Sequence, residues 1–453
     1  MGFGLVPLHP AEAPRVRMEM TSGKKRMQQY VTVLLIGLLA LEASALTPRE
    51  GPVRADGHAV ADAKGAFNAL GATLFWGAWG YKFDRPRLER NFGVLRAAGV
   101  DYVRVLGSVG GTGWEDRQTD PRWSDYDAII AGMTDLAYDR YGLRVQWTLF
   151  GGAPFTPAGP AREALVDRFA ALARGREHKL FAFEIANEAW QNGFPGPEGT
   201  SELRLLGARL AERTPVLVAL SAPSTGEACA TYAGAGADAI TIHYPRGSGA
   251  EDPAAPLQRP WTFPGAYDAK CRGQLPPLVF NNEPIGPEAS VQQDDSASRI
   301  AAGYVMTFLA GNASYVLHAG PGIRGGGKAD IEGPLRRHAN YDELPSLKAI
   351  AAALTAAKQY LPAGVANWTR HEPDSTAAPL HGFRSLYSAS SGTEFVAVAL
   401  GVEKNATVRA NRAAFLELRD MASGRVLKRV NVKVGQKLPI SGATEIVIIG
   451  RNT

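Results

Sequence analysis

The stretch Leu180-Phe-Ala-Phe-Glu-Ile-Ala-Asn187-Glu188 decides the fold of this chain. It is a short, nearly continuous apolar run that ends in a polar pair, which is typical of a strand buried on both faces of a parallel sheet. A second run of this kind is Pro277-Leu-Val-Phe-Asn-Asn282-Glu283-Pro284. Each run therefore carries a glutamate directly after a buried strand.

Strand-like and helix-like segments alternate on both sides of these two runs. Eight strands, each followed by helix, within roughly 300 residues predict a closed (β/α)8 TIM barrel. An open doubly wound sheet would carry a glycine-rich turn after its first strand, and residues 76–81 do not form one. The predicted barrel strands are 74–77, 103–106, 143–150, 180–185, 216–220, 239–243, 278–280 and 315–317.

Beyond about residue 365 the strand-like runs follow one another without helices between them. Turn residues such as Ser423-Gly424 separate them, which predicts a small antiparallel β-sandwich over residues 365–453. We expect this segment to play an accessory packing role, with carbohydrate binding as the alternative. The barrel is then expected to span residues 46–364. The predicted strands of the sandwich are 395–400, 415–418, 430–434 and 445–449.

The N-terminal segment resembles a secretory signal. Lys24-Lys25-Arg26 precedes an apolar stretch at 31–41, which leads to Ala43-Ser44-Ala45. The apolar stretch is too short to span a bilayer, which takes roughly 20 residues. Residues 1–45 are therefore predicted to be an N-terminal extension and signal peptide, and the mature protein to be secreted or periplasmic.

Composition excludes several classes of function. The net charge of +5 is small for 453 residues, and the basic residues are scattered, so no nucleic-acid partner is expected. No phosphate-cradling glycine loop is present, and no cofactor is expected. The two cysteines, Cys229 and Cys271, form no metal motif, and in an exported protein they either pair or stay free.

Two carboxylates at strand ends suit one reaction in particular. Active sites of such barrels lie at the C-terminal ends of the strands, and glycosidic bond cleavage uses one carboxylic acid with one carboxylate. With Asn187-Glu188 ending strand four and Asn282-Glu283 ending strand seven, the chain resembles clan A of the retaining glycoside hydrolases, which includes cellulases, mannanases and β-xylosidases. The resemblance covers residues from about 66 to 360. It implies a β-glycosidase with Glu188 as acid/base and Glu283 as nucleophile.

The resemblance also implies roles for residues around this pair. Asn187 would bind the substrate 2-hydroxyl, and Arg104 on strand two would support the charge of the nucleophile. His243-Tyr244 ends strand six, where Tyr244 is the preferred hydroxyl donor to Glu283 and His243 is either a site residue or a core histidine. His318 ends strand eight, where cellulase-like members usually carry a tryptophan; this departure puts the sugar specificity in doubt. Trp190 and Trp261 are the preferred sugar platforms among Trp76, Trp79, Trp114, Trp147, Trp190 and Trp261.

Other interpretations remain open from sequence. A transglycosylase would use the same residues with a different acceptor, and a catalytically silent barrel would bind carbohydrate without cleaving it. A metal site at the two glutamates is disfavoured because neither has a second carboxylate or histidine next to it in sequence. Glu184, at an alternating position from Glu188, is expected to point into the barrel and pair with a cation. The expected partner is an oligo- or polysaccharide.

Overall fold

A computed structural model shows one compact unit from Pro48 to the C-terminus. The predicted signal peptide, residues 1–45, lies outside the described part of the chain. In that part, no helix has both the length and the apolar character needed to cross a bilayer. The described residues are 50–152, 154–224, 227–245, 255–262, 271, 273–289, 293–333 and 336–453.

A small antiparallel sheet precedes the barrel. Its strands are β1 (Arg54–Asp56), β2 (Ala59–Asp62) and β3 (Gly65–Phe67). It is tied to the barrel by a buried ion pair, since Asp62 on β2 accepts from the Arg144 guanidinium at 3.0 Å.

Eight parallel strands then close into a barrel, as the sequence predicts. The ring order follows the chain order, and the last strand pairs with the first. All C-terminal strand ends therefore meet at one face of the barrel, which is where Glu188 and Glu283 lie. The strands are β4 (Ala69–Thr73), β5 (Tyr102–Ser108), β6 (Arg144–Phe150), β7 (Leu180–Ala186), β8 (Val218–Ala219), β9 (Ala239–Ile242), β10 (Leu278–Asn281) and β11 (Ser314–Leu317).

The first barrel strand differs from the prediction, which placed it at 74–77. The strand is β4, built from Ala-Leu-Gly-Ala-Thr, whose small residues give little strand signal. At Gly71 the packing requires the small residue, because a Cβ there would meet the Tyr102 ring at 2.4 Å. Leu74 and Phe75 instead form the turn that leads out of the strand.

Helices surround the barrel and bury their apolar faces against the strands. The eighth of them in chain order is buried along almost its whole length, because the barrel covers one side and the C-terminal strands cover the other. The helices are α1 (Gly77–Phe83), α2 (Arg85–Ala97), α3 (Tyr126–Tyr141), α4 (Pro160–Ala173), α5 (Gly196–Ala211), α6 (Ala228–Tyr232), α7 (Ala255–Thr262), α8 (Ala297–Leu309), α9 (Gly320–Arg324), α10 (Lys328–Ile331) and α11 (Leu347–Tyr360).

The C-terminal strands form two antiparallel sheets, of six and three strands, in agreement with the predicted sandwich. Val396, Val398 and Val447 of the larger sheet belong to the same hydrophobic core as the barrel helices. The strands are β12 (Thr369–His371), β13 (Leu380–His381), β14 (Leu386–Ser390), β15 (Glu394–Leu400), β16 (Thr407–Ala410), β17 (Ala414–Asp420), β18 (Val426–Val432), β19 (Lys437–Pro439) and β20 (Glu445–Asn452).

The two cysteines form a disulfide, which the sequence left undecided. Cys229 on α6 bonds to Cys271, with Cα atoms 5.8 Å apart and a sequence separation of 42 residues. The bond closes the segment that carries β9 and α7, and thereby constrains the chain between strands six and seven.

Removing this disulfide should destabilise the protein. For a loop of this length, we expect the Cys229→Ser/Cys271→Ser double variant to lose about 2–4 kcal/mol of unfolding free energy, because the unfolded chain regains entropy. Denaturant unfolding measures this loss. Dithiothreitol should destabilise the wild type and leave the double variant unchanged; an equal response of both proteins would contradict the structural role of the bond.

Candidate active site

A buried arginine organises the centre of the barrel mouth. Arg104 on β5 donates through Nη1 to Glu283 Oε1 at 3.0 Å and through Nη2 to Glu184 Oε2 at 2.7 Å. The same Nη2 donates to Asn187 Oδ1 at 2.8 Å. Burial alone would lower the pKa of the Arg104 guanidinium, but the charges of Glu184 and Glu283 outweigh it and raise the pKa. Arg104 therefore remains a fixed cation.

Glu184 takes the structural position expected of it. Its carboxylate is fully buried and accepts from Arg104, from Thr148 Oγ1 at 2.5 Å and from Asn282 Nδ2 at 3.4 Å. Arg104 therefore has a second buried anionic partner besides Glu283. Glu184 is thus a positioning residue for the arginine.

His243 joins the two glutamates at the strand ends. Its Nδ1 lies 3.0 Å from Glu188 Oε1, and its Nε2 lies 3.6 Å from Glu283 Oε1. The side chain is almost fully buried. The sequence left open whether His243 is a site residue or a core histidine. The geometry places it between the two carboxylates, not in the apolar core.

The two carboxylates lie close together. One oxygen of Glu188, one nitrogen of His243 and one oxygen of Glu283 all lie within 4.8 Å of one another. Glu283 is nearly buried, whereas the Glu188 side chain is 22% exposed. One carboxylate is thus enclosed beside a cation, and the other is open to solvent.

The backbone at Glu188 is strained. Its φ is +41°, a left-handed conformation that costs a non-glycine residue about 1–3 kcal/mol. Contacts on both sides hold it, since the Ala189 amide donates to Ser221 Oγ at 2.8 Å and Asn192 Nδ2 donates to the Asn187 carbonyl at 2.5 Å. Gln191 Nε2 also donates to the Glu188 carboxylate. This left-handed backbone conformation directs the Glu188 side chain into the barrel mouth.

His318 lies on the other side of Glu283. Its Nδ1 lies 2.9 Å from Thr73 Oγ1, and its Nε2 lies 3.8 Å from Glu283 Oε2. Phe75 packs on this group, with its ring centroid 6.1 Å from that of His318 and 5.1 Å from the Arg104 guanidinium carbon. Sequence reasoning missed Thr73 and Phe75 because it misplaced the first strand, although both follow the strand-end rule that found the glutamates.

Two of the predicted site residues need correction. The Tyr244 hydroxyl donates to Asn312 Oδ1 at 2.9 Å, so its single proton is directed away from Glu283. Trp261 is buried to 1% exposure, where its Nε1 donates to Glu372 Oε2 and its ring packs on Tyr387. Trp261 therefore links the barrel to the C-terminal strands, and its buried ring is not accessible to a substrate.

Trp190 remains as an accessible aromatic residue beside the glutamates. It is 48% exposed and follows Glu188 by two residues, whereas Trp76 and Trp147 are fully buried. Trp190 lines a cavity of about 640 Å³ together with Phe194, Arg204, Ser221 and Glu227. The residues that line this cavity follow β7 and β8 in the chain.

The fold also brings together three residues of types that can bind a metal, although they are far apart in sequence. Neither glutamate has a histidine or a second carboxylate next to it in sequence, but His243, just after β9, joins Glu188 and Glu283 in the folded barrel. Arg104 already places a positive charge 3.0 Å from Glu283 Oε1, which disfavours a second cation there. The group therefore suits acid–base chemistry better than metal binding.

Comparison with solved structures shows which known proteins share this fold. A glycoside hydrolase family 5 protein from Bacteroides vulgatus ATCC 8482 matches with a TM-score of 0.63 at 13% identity, over 89% of this chain and 93% of that chain. A structure described as a glycoside hydrolase matches with a TM-score of 0.59 at 11% identity, over 89% and 97%.

A family 39 glycoside hydrolase from the gut symbiont Bacteroides cellulosilyticus WH2 matches with a TM-score of 0.50 at 12% identity, over 85% of this chain and 81% of that chain. These three matches show that the chain shares the barrel-and-sandwich fold of these glycoside hydrolases. No family model and no curated protein matches the sequence.

Proposed function

We propose that this chain is an exported retaining glycoside hydrolase that cleaves β-glycosidic bonds in an oligo- or polysaccharide. The observation that carries the proposal is the approach of Glu188 and Glu283, at the ends of strands four and seven, to within 4.8 Å between carboxylate oxygens. Carboxyl groups lie about 5–5.5 Å apart in retaining enzymes and about 6.5–9.5 Å apart in inverting ones. The separation here is nearer to the retaining value, at which the second carboxylate attacks the sugar itself.

The first half-reaction forms a covalent intermediate. Glu283 attacks the anomeric carbon as its bond to the leaving oxygen breaks, and Glu188 gives that oxygen its proton. A glycosyl ester of Glu283 results. Arg104 pairs with the Glu283 carboxylate and orients it before attack, and His243 lies 3.0 Å from the Glu188 carboxyl and orients it.

The second half-reaction releases the sugar. Glu188, now a carboxylate, takes a proton from water, and the oxygen of that water attacks the anomeric carbon. The ester bond breaks and returns the Glu283 carboxylate. Two inversions give net retention. Asn187, held by Arg104 at 2.8 Å, is proposed to bind the substrate 2-hydroxyl.

The proposed assignments of the surrounding residues follow from their positions. His318 and Phe75 form the wall beside Glu283, where the resemblance leads one to expect a tryptophan, so they bear on which sugar is accepted. Trp190 and its cavity are proposed to receive the leaving group, because the acid Glu188 must face the leaving oxygen. A transglycosylase would differ only in the acceptor of the second half-reaction.

Export is supported by two independent features. The sequence of residues 24–45 has the charged, apolar and small-residue order of a secretory signal. The Cys229–Cys271 disulfide suits an oxidising compartment. We therefore propose a secreted or periplasmic location.

The proposal is tested with the chain from residue 46 onward on aryl β-glycosides and on β-glucans, mannans and xylans. We expect hydrolysis of at least one member, and the same rate in the presence of EDTA because no metal takes part in the steps above. Failure on every member, together with binding of a glycan, would replace the proposal with a silent carbohydrate-binding barrel. Loss of activity in EDTA would overturn the metal-free mechanism.

Trp190 should matter only when the leaving group is a sugar. We expect Trp190→Ala to lower kcat/KM about 5–30-fold on oligosaccharides, as for the loss of a contact of about 1–2 kcal/mol. On small aryl glycosides the change should stay below about 2-fold. Leu205→Ala, which removes an exposed apolar side chain from neighbouring α5, is the matched control. Equal losses on both kinds of substrate would contradict the leaving-group assignment.

A further inference from the structure

A second groove lies where the end of α11 meets the six-stranded sheet. Two cavities of about 390 and 190 Å³ share Gln359, Tyr360, Ile449 and Arg451 in their linings, so they form one continuous depression. Its larger part falls in the range of about 300–1,000 Å³ that is usual for small-ligand sites. We call it the sandwich groove and define it by Tyr360, Trp368, Phe415, Glu417, Arg419 and Arg451.

The register of the sheet explains why the groove exists. Phe415, Arg451 and Glu394 form one row across β17, β20 and β15, on the same face as the row of Glu417, Ile449 and Val396. Farther along the strands this face is apolar and packs on the barrel helices. The row of Phe415 and Arg451 lies beyond that contact, which leaves a large aromatic side chain 38% exposed.

The lining combines aromatic rings with balanced charges. Trp368 and Phe415 supply partly exposed aromatic side chains, and Gln359 adds an exposed amide. Tyr360 lies beneath the Arg419 guanidinium, whose carbon is 6.0 Å from the ring centroid. Two carboxylates, Glu394 and Glu417, match two guanidinium groups, Arg419 and Arg451, with which they form ion pairs. Desolvation alone would raise the pKa of Glu417, but hydrogen bonds from Arg429 and Arg419 outweigh it and keep the pKa below its ordinary value, so Glu417 stays an acceptor.

This chemistry fits a neutral, polyhydroxylated ligand. The lining itself has as many arginines as carboxylates, and Arg429 outside it adds only one positive charge, so phosphates, nucleic acids and basic peptides gain little attraction. Carboxylate and guanidinium groups present planar pairs of acceptors or donors to neighbouring hydroxyls, while aromatic faces cover the apolar C–H faces of sugar rings.

We propose that the sandwich groove is a second carbohydrate-binding site, which holds a neutral glycan chain outside the catalytic centre. Naming the glycan as the polysaccharide substrate rests on the proposed function, whereas the groove itself does not. Lys358 of α11 donates to the Gly99 carbonyl and the Asp101 carboxylate, which precede β5, so this end of α11 lies at the N-terminal end of the barrel. The groove and the glutamates therefore lie at opposite ends, and the groove acts as an anchor to the polymer.

The test measures binding without turnover. The chain from residue 46 carrying Glu283→Ala is run in affinity electrophoresis against soluble xylan, mannan and β-glucan. We expect retardation by at least one polymer, and at least a 10-fold weaker affinity when Phe415→Ala is added. Val434→Ala, an exposed apolar side chain of the same domain, is the matched control and should leave the affinity unchanged. Melting temperatures check that all variants fold.

The outcomes separate the groove from the catalytic proposal. Phe415→Ala with Glu283 intact should hydrolyse small aryl glycosides at the wild-type rate. Polymer binding that depends on Phe415, without hydrolysis, would support the groove as a binding site and contradict the proposed function. Hydrolysis with no polymer binding, or with equal binding by the Phe415→Ala and Val434→Ala proteins, would overturn the groove alone.

Discussion

Replacing Glu283 with alanine is expected to lower kcat/KM by at least about 10⁴-fold, because the proposed nucleophile that forms the glycosyl ester is removed. Glu283→Gln, which keeps the shape of the side chain, should be equally inactive. Both variants should fold, since Arg104 keeps its ion pair with Glu184 at 2.7 Å. Melting temperature and hydrolysis of an aryl β-glycoside are the measurements.

Added azide distinguishes a lost nucleophile from a damaged site. In Glu283→Ala the small anion can enter the vacated space beside Arg104 and attack the anomeric carbon from the side opposite the leaving group. We expect a glycosyl azide of inverted, α configuration from an activated β-glycoside. Activity of Glu283→Ala within 10-fold of the wild type would remove the nucleophile assignment.

Replacing Glu188 with glutamine should produce losses that depend on the leaving group. For a sugar leaving group, the missing proton should cost about 10²–10⁴-fold in kcat/KM. For a dinitrophenyl leaving group, which departs without protonation, we expect a loss below about 10-fold. The parameter to compare is kcat/KM, because it reports only the steps up to formation of the glycosyl ester.

A matched control keeps this comparison specific. Glu198→Gln removes an exposed carboxylate from the first turn of α5, close in sequence to Glu188, and should affect neither substrate. Equal losses by Glu188→Gln on both kinds of leaving group would contradict its role as acid.

The barrel was predictable because most of its strands carry a strong local signal. Runs such as Leu180–Ala186 are apolar on both faces and end in polar residues, and the helices between them have apolar faces. The strand Ala69–Thr73 was not predicted because its small residues carry little strand signal, and close packing against Tyr102 requires the glycine among them, Gly71. Local sequence does not reveal such a tertiary requirement.

The candidate site was predictable to the extent that strand ends fix it. Arg104, Glu184 and Glu283 are held by strand alternation and by the ring order of the barrel, and the structure brings them together. Tyr244 lies just after β9 and Trp261 lies on the short helix α7, and the direction of each side chain depends on packing with distant residues, Asn312 and Glu372. The contact of His243 with both glutamates likewise arises only from closure of the barrel.

The disulfide could not be predicted from local sequence for the same reason. Cys229 and Cys271 are separated by 42 residues, and nothing in their spacing indicates whether they meet. Their pairing depends on where α6 lies relative to the start of strand seven, and that position is set by the packing of the whole barrel.

The measurement that most directly tests double displacement between Glu188 and Glu283 is the anomeric configuration of the first sugar released. Proton NMR of an aryl β-glycoside or oligosaccharide digest, recorded before mutarotation, gives this configuration. We predict that the β anomer appears first and the α anomer follows by mutarotation. Initial release of the α anomer would mean a single displacement by water and would contradict the proposed mechanism.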